Sequence, residues 1–107
     1  MRRWQLYAID FDGTLVTNKW PEVGEPIEDI VNLVHNIQIN GDQWILYTMR
    51  EGKALEEALE VINNLGLFPD AINDNHPDLI EEFGNNPRKI YADHYVDDHN
   101  LIRISIN

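Results

Sequence analysis

Residues 43–48 (Gln-Trp-Ile-Leu-Tyr-Thr) are apolar along nearly their whole length. That run constrains the fold more than any other stretch. A continuous apolar strand implies burial on both faces, the environment of a parallel sheet covered by helices on each side. Residues 4–9 form a second such run, in which Trp4, Tyr7 and Ile9 have β-favouring shapes. Helical spacing follows each run. Pro26 suits a first helical position, Ile27, Ile30, Val31 and Val34 recur with helical period, and Asn40-Gly41 closes the element. A second helix is predicted over 52–65, with Leu55, Ala58, Leu59, Ile62 and Leu65 on one face and Gly66 at its end.

Shorter signals complete the pattern. Residues 67–72, interrupted by Pro69, predict a third and less central strand. Residues 77–83 predict a short helix burying Leu79, Ile80 and Phe83, broken afterwards by Gly84 to Pro87. Residues 90–96 lead into a fourth strand, and 101–106 into a fifth, half-exposed one. Residues 16–25 hold Asn18, Pro21 and Gly24 without a sustained period, and read as a loop. Strands alternating with helices predict a three-layer α/β domain with a mostly parallel five-stranded sheet. At 107 residues the chain reads as a single domain, 1–107, with one core.

The first run ends in two carboxylates, Asp10 and Asp12, followed at once by Gly13-Thr14. Asp and Gly are ordinary turn residues, but open α/β sheets also bind ligands just beyond strand C-termini. The second run ends in Thr48, followed by Met49-Arg50-Glu51, and the fourth in Asp97-Asp98, with Arg88-Lys89 shortly before it. Singly, Thr48 reads as a helix cap, Lys89 as a surface lysine and the acidic pair as a turn. Parallel strands would gather them along one sheet edge. The chemistry that needs such a set is phosphoryl transfer through an aspartyl intermediate. A carboxylate attacks phosphorus, and Mg²⁺ relieves the repulsion among clustered acids while taking a phosphate oxygen. Hydroxyl and ammonium groups hold the remaining phosphoryl oxygens. A carboxylate two residues from the nucleophile protonates the leaving oxygen and then activates water.

Asp10-Phe11-Asp12-Gly13-Thr14, then Thr48, Lys89 and Asp97-Asp98 in that order, resembles the haloacid dehalogenase (HAD) superfamily of Mg²⁺-dependent phosphohydrolases over residues 4 to 100. The resemblance implies a Rossmann-like fold, Asp10 as nucleophile, Asp12 as general acid and base, and Thr48 and Lys89 as phosphate ligands. It implies metal on the Asp10 carboxylate, the Asp12 backbone carbonyl and the acidic pair, with Asp98 favoured over Asp97 as the direct ligand. Gly13, Thr14, Met49 and Arg50 become candidates for substrate contact. For Arg50, an ion pair with Glu51 or Glu56 at a helix start is an equal alternative. Neither interval between the motifs holds a cap domain, so the chain is similar to small, capless members with Thr/Ser-x-Arg-Glu-Gly after the second strand, here residues 48–52. Receiver domains of two-component signalling use the same residue types in a different strand order.

The expected substrate is a small phosphorylated metabolite or nucleotide; the alternative is a module that sequesters a phosphorylated ligand. The net charge of −11 argues against a nucleic-acid-gripping surface. Absence of cysteine removes thiolate and Cys-type zinc chemistry. No apolar stretch approaches the roughly 20 residues of a membrane span, and the basic N-terminus lacks a signal-peptide pattern, so a cytoplasmic enzyme is expected. A second subunit is one way for the open site to be covered.

Overall fold

The structure, a computed structural model, describes residues 2–97 and the backbone of 103–104. In chain order it has β1 (Leu6–Asp10), β2 (Val16–Lys19), β3 (Glu22–Pro26), α1 (Glu28–Ile39), β4 (Gln43–Tyr47), α2 (Gly52–Asn64), β5 (Ala71–Ile72), α3 (Pro77–Phe83), β6 (His94–Val96) and β7 (Arg103–Ile104). Strands β5, β4, β1 and β6 lie side by side in parallel, and β7 pairs antiparallel with β6. The expected α/β class with a mostly parallel sheet therefore holds. β1 runs through the middle, with Ile9 level with Leu46 on one side and Val96 on the other.

Side chains alternate across a strand, and the two faces of β1 bury different layers. Ile9 joins Trp44 and Leu46 of β4, Ile30, Val34 and Ile37 of α1, and Ala58 and Ile62 of α2. Leu6 and Ala8 join Ile45, Ala92 and Leu79 of α3 on the other face. The helices form where their apolar period predicts. Glu28 and Asp29 in the first turn of α1 suit its positive dipole end. Gln38, near the end of α1, accepts from the buried Trp44 indole (3.0 Å) and the Phe68 N–H (2.8 Å) and donates to the Gly66 carbonyl (3.0 Å). It ties helix, sheet and the turn after α2 together.

Several boundaries differ from expectation, each for a local reason. Residues 16–25 are not a loop, because β2 and β3 form an antiparallel hairpin whose Trp20-Pro21 peptide is cis. Gly24 is what lets the two strands close, since a Cβ there would lie 2.0 Å from the Thr17 carbonyl oxygen. Pro26 pairs with Val16 as the last residue of β3 and does not start the helix; Ile27 caps α1. The third strand shrinks to β5 because Asp70, just before it, is turned toward the Trp44 N–H (3.0 Å). Phe83 is about half exposed, set edge-on to Tyr91, while Leu79 alone is fully buried from α3. The fourth strand starts at His94, because Tyr91 donates its N–H to the Asn75 side chain (2.7 Å) and Ile90 accepts from the Tyr95 hydroxyl (2.9 Å). Of the fifth strand, Arg103–Ile104 form β7 and the rest lies outside the described residues. No helix among the described residues is long and apolar enough to cross a membrane.

At the start of the strands, carboxylates accept backbone N–H groups of neighbours. Asp42 takes Gln5 (2.8 Å), Asp70 takes Trp44, and Asp93 takes Leu6 (2.8 Å). Asp93 also receives both terminal nitrogens of Arg2 (3.0 and 3.1 Å) and the Tyr91 hydroxyl (2.9 Å). Burial alone would raise its pKa, but the hydrogen bonds from Arg2, Leu6 and Tyr91 outweigh that and hold it below the ordinary 3.8. A depressed folded pKa stabilises the fold above the unfolded value, and the gain disappears as pH falls through the folded one. Asp93→Asn should therefore cost about 2 kcal/mol at neutral pH in urea unfolding. The gap from wild type should narrow once the pH drops below about 4.

Candidate functional site

A cleft of about 420 Å³ opens at the C-terminal ends of β1 and β4, lined by Asp10, Asp12, Asn18, Trp20, Thr48, Met49 and Arg50. Its position follows from strand order. From β1 the chain steps by way of α1 and α2 to β4 and β5 on one side, then returns to β6 on the other. The order thus reverses beside β1, where α/β sheets form ligand crevices.

Asp10 ends β1 and accepts the Phe11 N–H (2.8 Å), which fixes the tilt of its carboxylate. The chain then turns tightly. The Phe11 carbonyl accepts from Thr14 (3.1 Å) and Leu15 (2.9 Å), and Gly13, with φ +81°, donates to Val16 (2.8 Å). That left-handed residue brings Asp12 back over the end of the sheet. On the next strand, Thr48 has its hydroxyl oxygen occupied by the Arg50 N–H (3.1 Å), leaving its O–H to donate outward. The Thr48 N–H donates to the Asn73 side chain (2.7 Å). Asn73 has φ +53°, a left-handed conformation that Asn tolerates better than most residues. Because Ile9 is level with Val96, Asp10 and Asp97 leave adjacent strands at the same height, and Tyr47 reaches Asp97 (3.4 Å).

Arg50 organises the cleft floor. Its Nε and one terminal nitrogen hold both oxygens of Asp12, each at 2.8 Å. The remaining N–H bonds go to the Pro21 carbonyl (3.3 Å), the Ala54 carbonyl (3.3 Å) and the Glu22 carbonyl (2.9 Å). All five guanidinium donors are thereby used within the chain. The group lies between the Phe11 ring (5.2 Å) and the Trp20 ring (4.9 Å), and the residue is only 1% exposed. The hydrogen bonds to Asp12, ahead of the opposing effect of burial, raise its pKa.

The structure places Asp10, Asp12, Thr48, Met49 and Arg50 along one cleft and the other described candidate residues elsewhere. Arg50 pairs with Asp12, with neither Glu51 nor Glu56, and has no N–H left for a substrate. Thr14 is fully buried behind the turn, its hydroxyl without a partner among the described residues, and Gly13 does not line the cleft. Lys89 is exposed outside the cleft, on the segment whose carbonyls are gathered by buried Asn75. Asp98 lies outside the described residues. Sequence reasoning missed Asn18, which the apparent loop concealed; Asn73, on a loop expected to overhang the same edge, holds the Thr48 N–H there.

No family model and no curated protein matches the chain. Its structure is similar to that of a conserved protein coded by a locus from Bacteroides thetaiotaomicron. The TM-score is 0.80 and the identity 36%, over 92% of this chain and 79% of that one. The fold defines a small α/β protein built on four parallel strands. The chain belongs to the same family as that conserved protein.

Arg50→Lys keeps a charge but loses the planar fork. It should lower unfolding stability by about 2 kcal/mol or more. It should also speed hydrogen exchange across residues 16–26 more than in β4; equal rates in both would show that the hairpin does not hang on Arg50.

Proposed function

We propose that this protein is a small, capless member of the HAD superfamily. On this reading it has a Rossmann-like fold with a five-stranded sheet, works in the cytoplasm, and hydrolyses phosphate monoesters of small molecules through an aspartyl phosphate. The observation that carries the proposal is the position of Asp10. It stands at the C-terminal end of the central strand, at the reversal of strand order, with Asp12, Thr48 and Asp97 about it.

Asp10 attacks phosphorus and the ester P–O bond breaks. Asp12, having released one oxygen from Arg50 and taken up a proton from solvent, gives that proton to the leaving oxygen, and the Thr48 O–H steadies a phosphoryl oxygen. Water, deprotonated by Asp12, then cleaves the acyl phosphate, so each turnover returns both acids to their starting state. Arg50 orients Asp12 for both transfers and is a positioning residue.

The donor set fits Mg²⁺. This ion asks for one or two carboxylates plus water and phosphate oxygens; Asp10 and Asp97 would provide the former, and the Asp12 backbone carbonyl would be a further donor. Among the described residues no group of three or more His, Asp or Glu side chains is placed to hold a metal ion, so two carboxylates at most would hold this one, with water and phosphate oxygens completing its shell. Bound there, Mg²⁺ supplies the positive charge that lets a phosphate approach paired acids. Lys89 stands outside this set.

A second reading, sequestration of a phosphorylated ligand, draws on one feature: both oxygens of Asp12 are engaged by Arg50. Asp12 must give up one of those bonds to carry a proton, which slows turnover.

Asp10→Asn should abolish Mg²⁺-dependent hydrolysis of p-nitrophenyl phosphate while leaving the unfolding curve in place. Undiminished turnover in that variant would remove Asp10 from the nucleophile's role. Tight Mg²⁺-linked phosphate-ester binding without turnover in the wild type would favour sequestration.

A further inference from the structure

We infer that Trp20 and Met49 form a clamp for a flat aromatic leaving group. The cleft would then select phosphate monoesters that carry a ring system over those of small aliphatic alcohols. The inference rests on the phosphatase reading for its chemistry and on separate observations for its geometry.

Trp20 is 58% exposed and Met49 98% exposed, and both line the cleft that contains Asp10. Exposed apolar side chains that line one cleft beside polar groups are the kind of surface that marks a ligand-binding groove. Trp20 is not a loose surface ring. One face rests on the Arg50 guanidinium, the neighbouring Pro21 and Glu22 carbonyls are bonded to that same group, and the Trp20 N–H reaches Asn18 (3.4 Å). Phe11, Arg50 and Trp20 form a stack that begins in the core and ends at the cleft. Trp20 remains more than half exposed despite that contact, so part of its surface is open to a docking ring. Because the platform is already held in place, a ring that docks on it need not bear the cost of ordering it.

Met49 supplies the complementary wall. An unbranched, polarizable thioether adapts to ring edges of different shape. With the reacting phosphorus at Asp10 and no cap domain inserted among the described residues, the hairpin and the turn after β4 are where binding energy for the remote part of the substrate would come from. Those are the two segments that present Trp20 and Met49. The chemistry shared by candidate ligands is a planar π-surface on the alcohol side of the ester, as in a nucleoside monophosphate or an aryl phosphate. The strongly acidic chain makes a free monoester a better fit than the end of a nucleic-acid strand.

The test compares kcat/KM for adenosine 5′-monophosphate, p-nitrophenyl phosphate and glycerol phosphate in wild type, Trp20→Ala and Trp20→Phe, with Mg²⁺. Stacking on one aromatic side chain should make the ring-over-aliphatic ratio fall about tenfold in Trp20→Ala, through KM, with most of it kept in Trp20→Phe. Preference for the nucleotide over the aryl ester, or the reverse, tells which ring source the clamp serves. An unchanged ratio in Trp20→Ala, even with every rate lowered, overturns the clamp. A parallel titration of indole fluorescence with adenosine 5′-monophosphate separates the two claims. Quenching that Trp20→Phe removes, without hydrolysis of any ester, retains the clamp and rejects the phosphatase. Hydrolysis of all three esters with no quenching retains the phosphatase and rejects the clamp.

Discussion

The bidentate contact between Arg50 and Asp12 is the interaction on which the cleft depends. A buried guanidinium is costly unless its charge is paired and each N–H finds an acceptor. Here one carboxylate supplies the charge, and three backbone carbonyls from the hairpin and the first turn of α2 supply the remaining acceptors. The requirement to satisfy one side chain therefore fixes three separate pieces of chain: the turn after β1, the tip of the hairpin and the start of α2. The aromatic rings on either side seal the group from water, which strengthens those bonds. Asp12 remains 20% exposed on its side chain, so the pair is anchored below and open above.

The excess of acid in the chain divides by sheet edge. At the N-terminal ends of the strands, Asp42, Asp70 and Asp93 accept backbone N–H groups and serve the fold. At the C-terminal ends, Asp10 and Asp97 stand on adjacent strands, with Asp12 above them. The first set replaces ladder bonds where strands begin out of step. The second lies along the edge where the candidate cleft opens, with Arg50 already committed to Asp12. In the proposed function a divalent cation would add the positive charge that a phosphate needs beside these acids.

Much of this was legible in the sequence, and the illegible parts have causes. The apolar run at 43–47 and the periods of Ile30 to Ile37 and Ala58 to Ile62 report burial directly, so sheet and helices emerge from pattern alone. The hairpin does not, because β2 and β3 show only Val16 and Gly24 buried. Its shape is set by Gly24 fitting against Thr17 and by carbonyls bonded to Arg50, and neither leaves a periodic trace. Asp10, Asp12 and Thr48 were readable because strand ends converge in a parallel sheet. The partner of Arg50 was not: Glu51 and Glu56 are near in sequence, whereas Asp12 comes near only after β1 and β4 pair. Motif order alone points to Lys89, and order along the chain does not fix where a residue on an irregular segment lies.

In the proposed function Asp10 accepts a phosphoryl group beside a divalent cation. Fluorine NMR of the protein with Mg²⁺ and beryllofluoride, a mimic of the phosphoryl group on an aspartate, tests it without reference to any substrate. The expected result is a protein-bound fluorine resonance that requires Mg²⁺ and is missing from folded Asp10→Asn. No bound resonance with the native protein, or one that persists in Asp10→Asn, would contradict it.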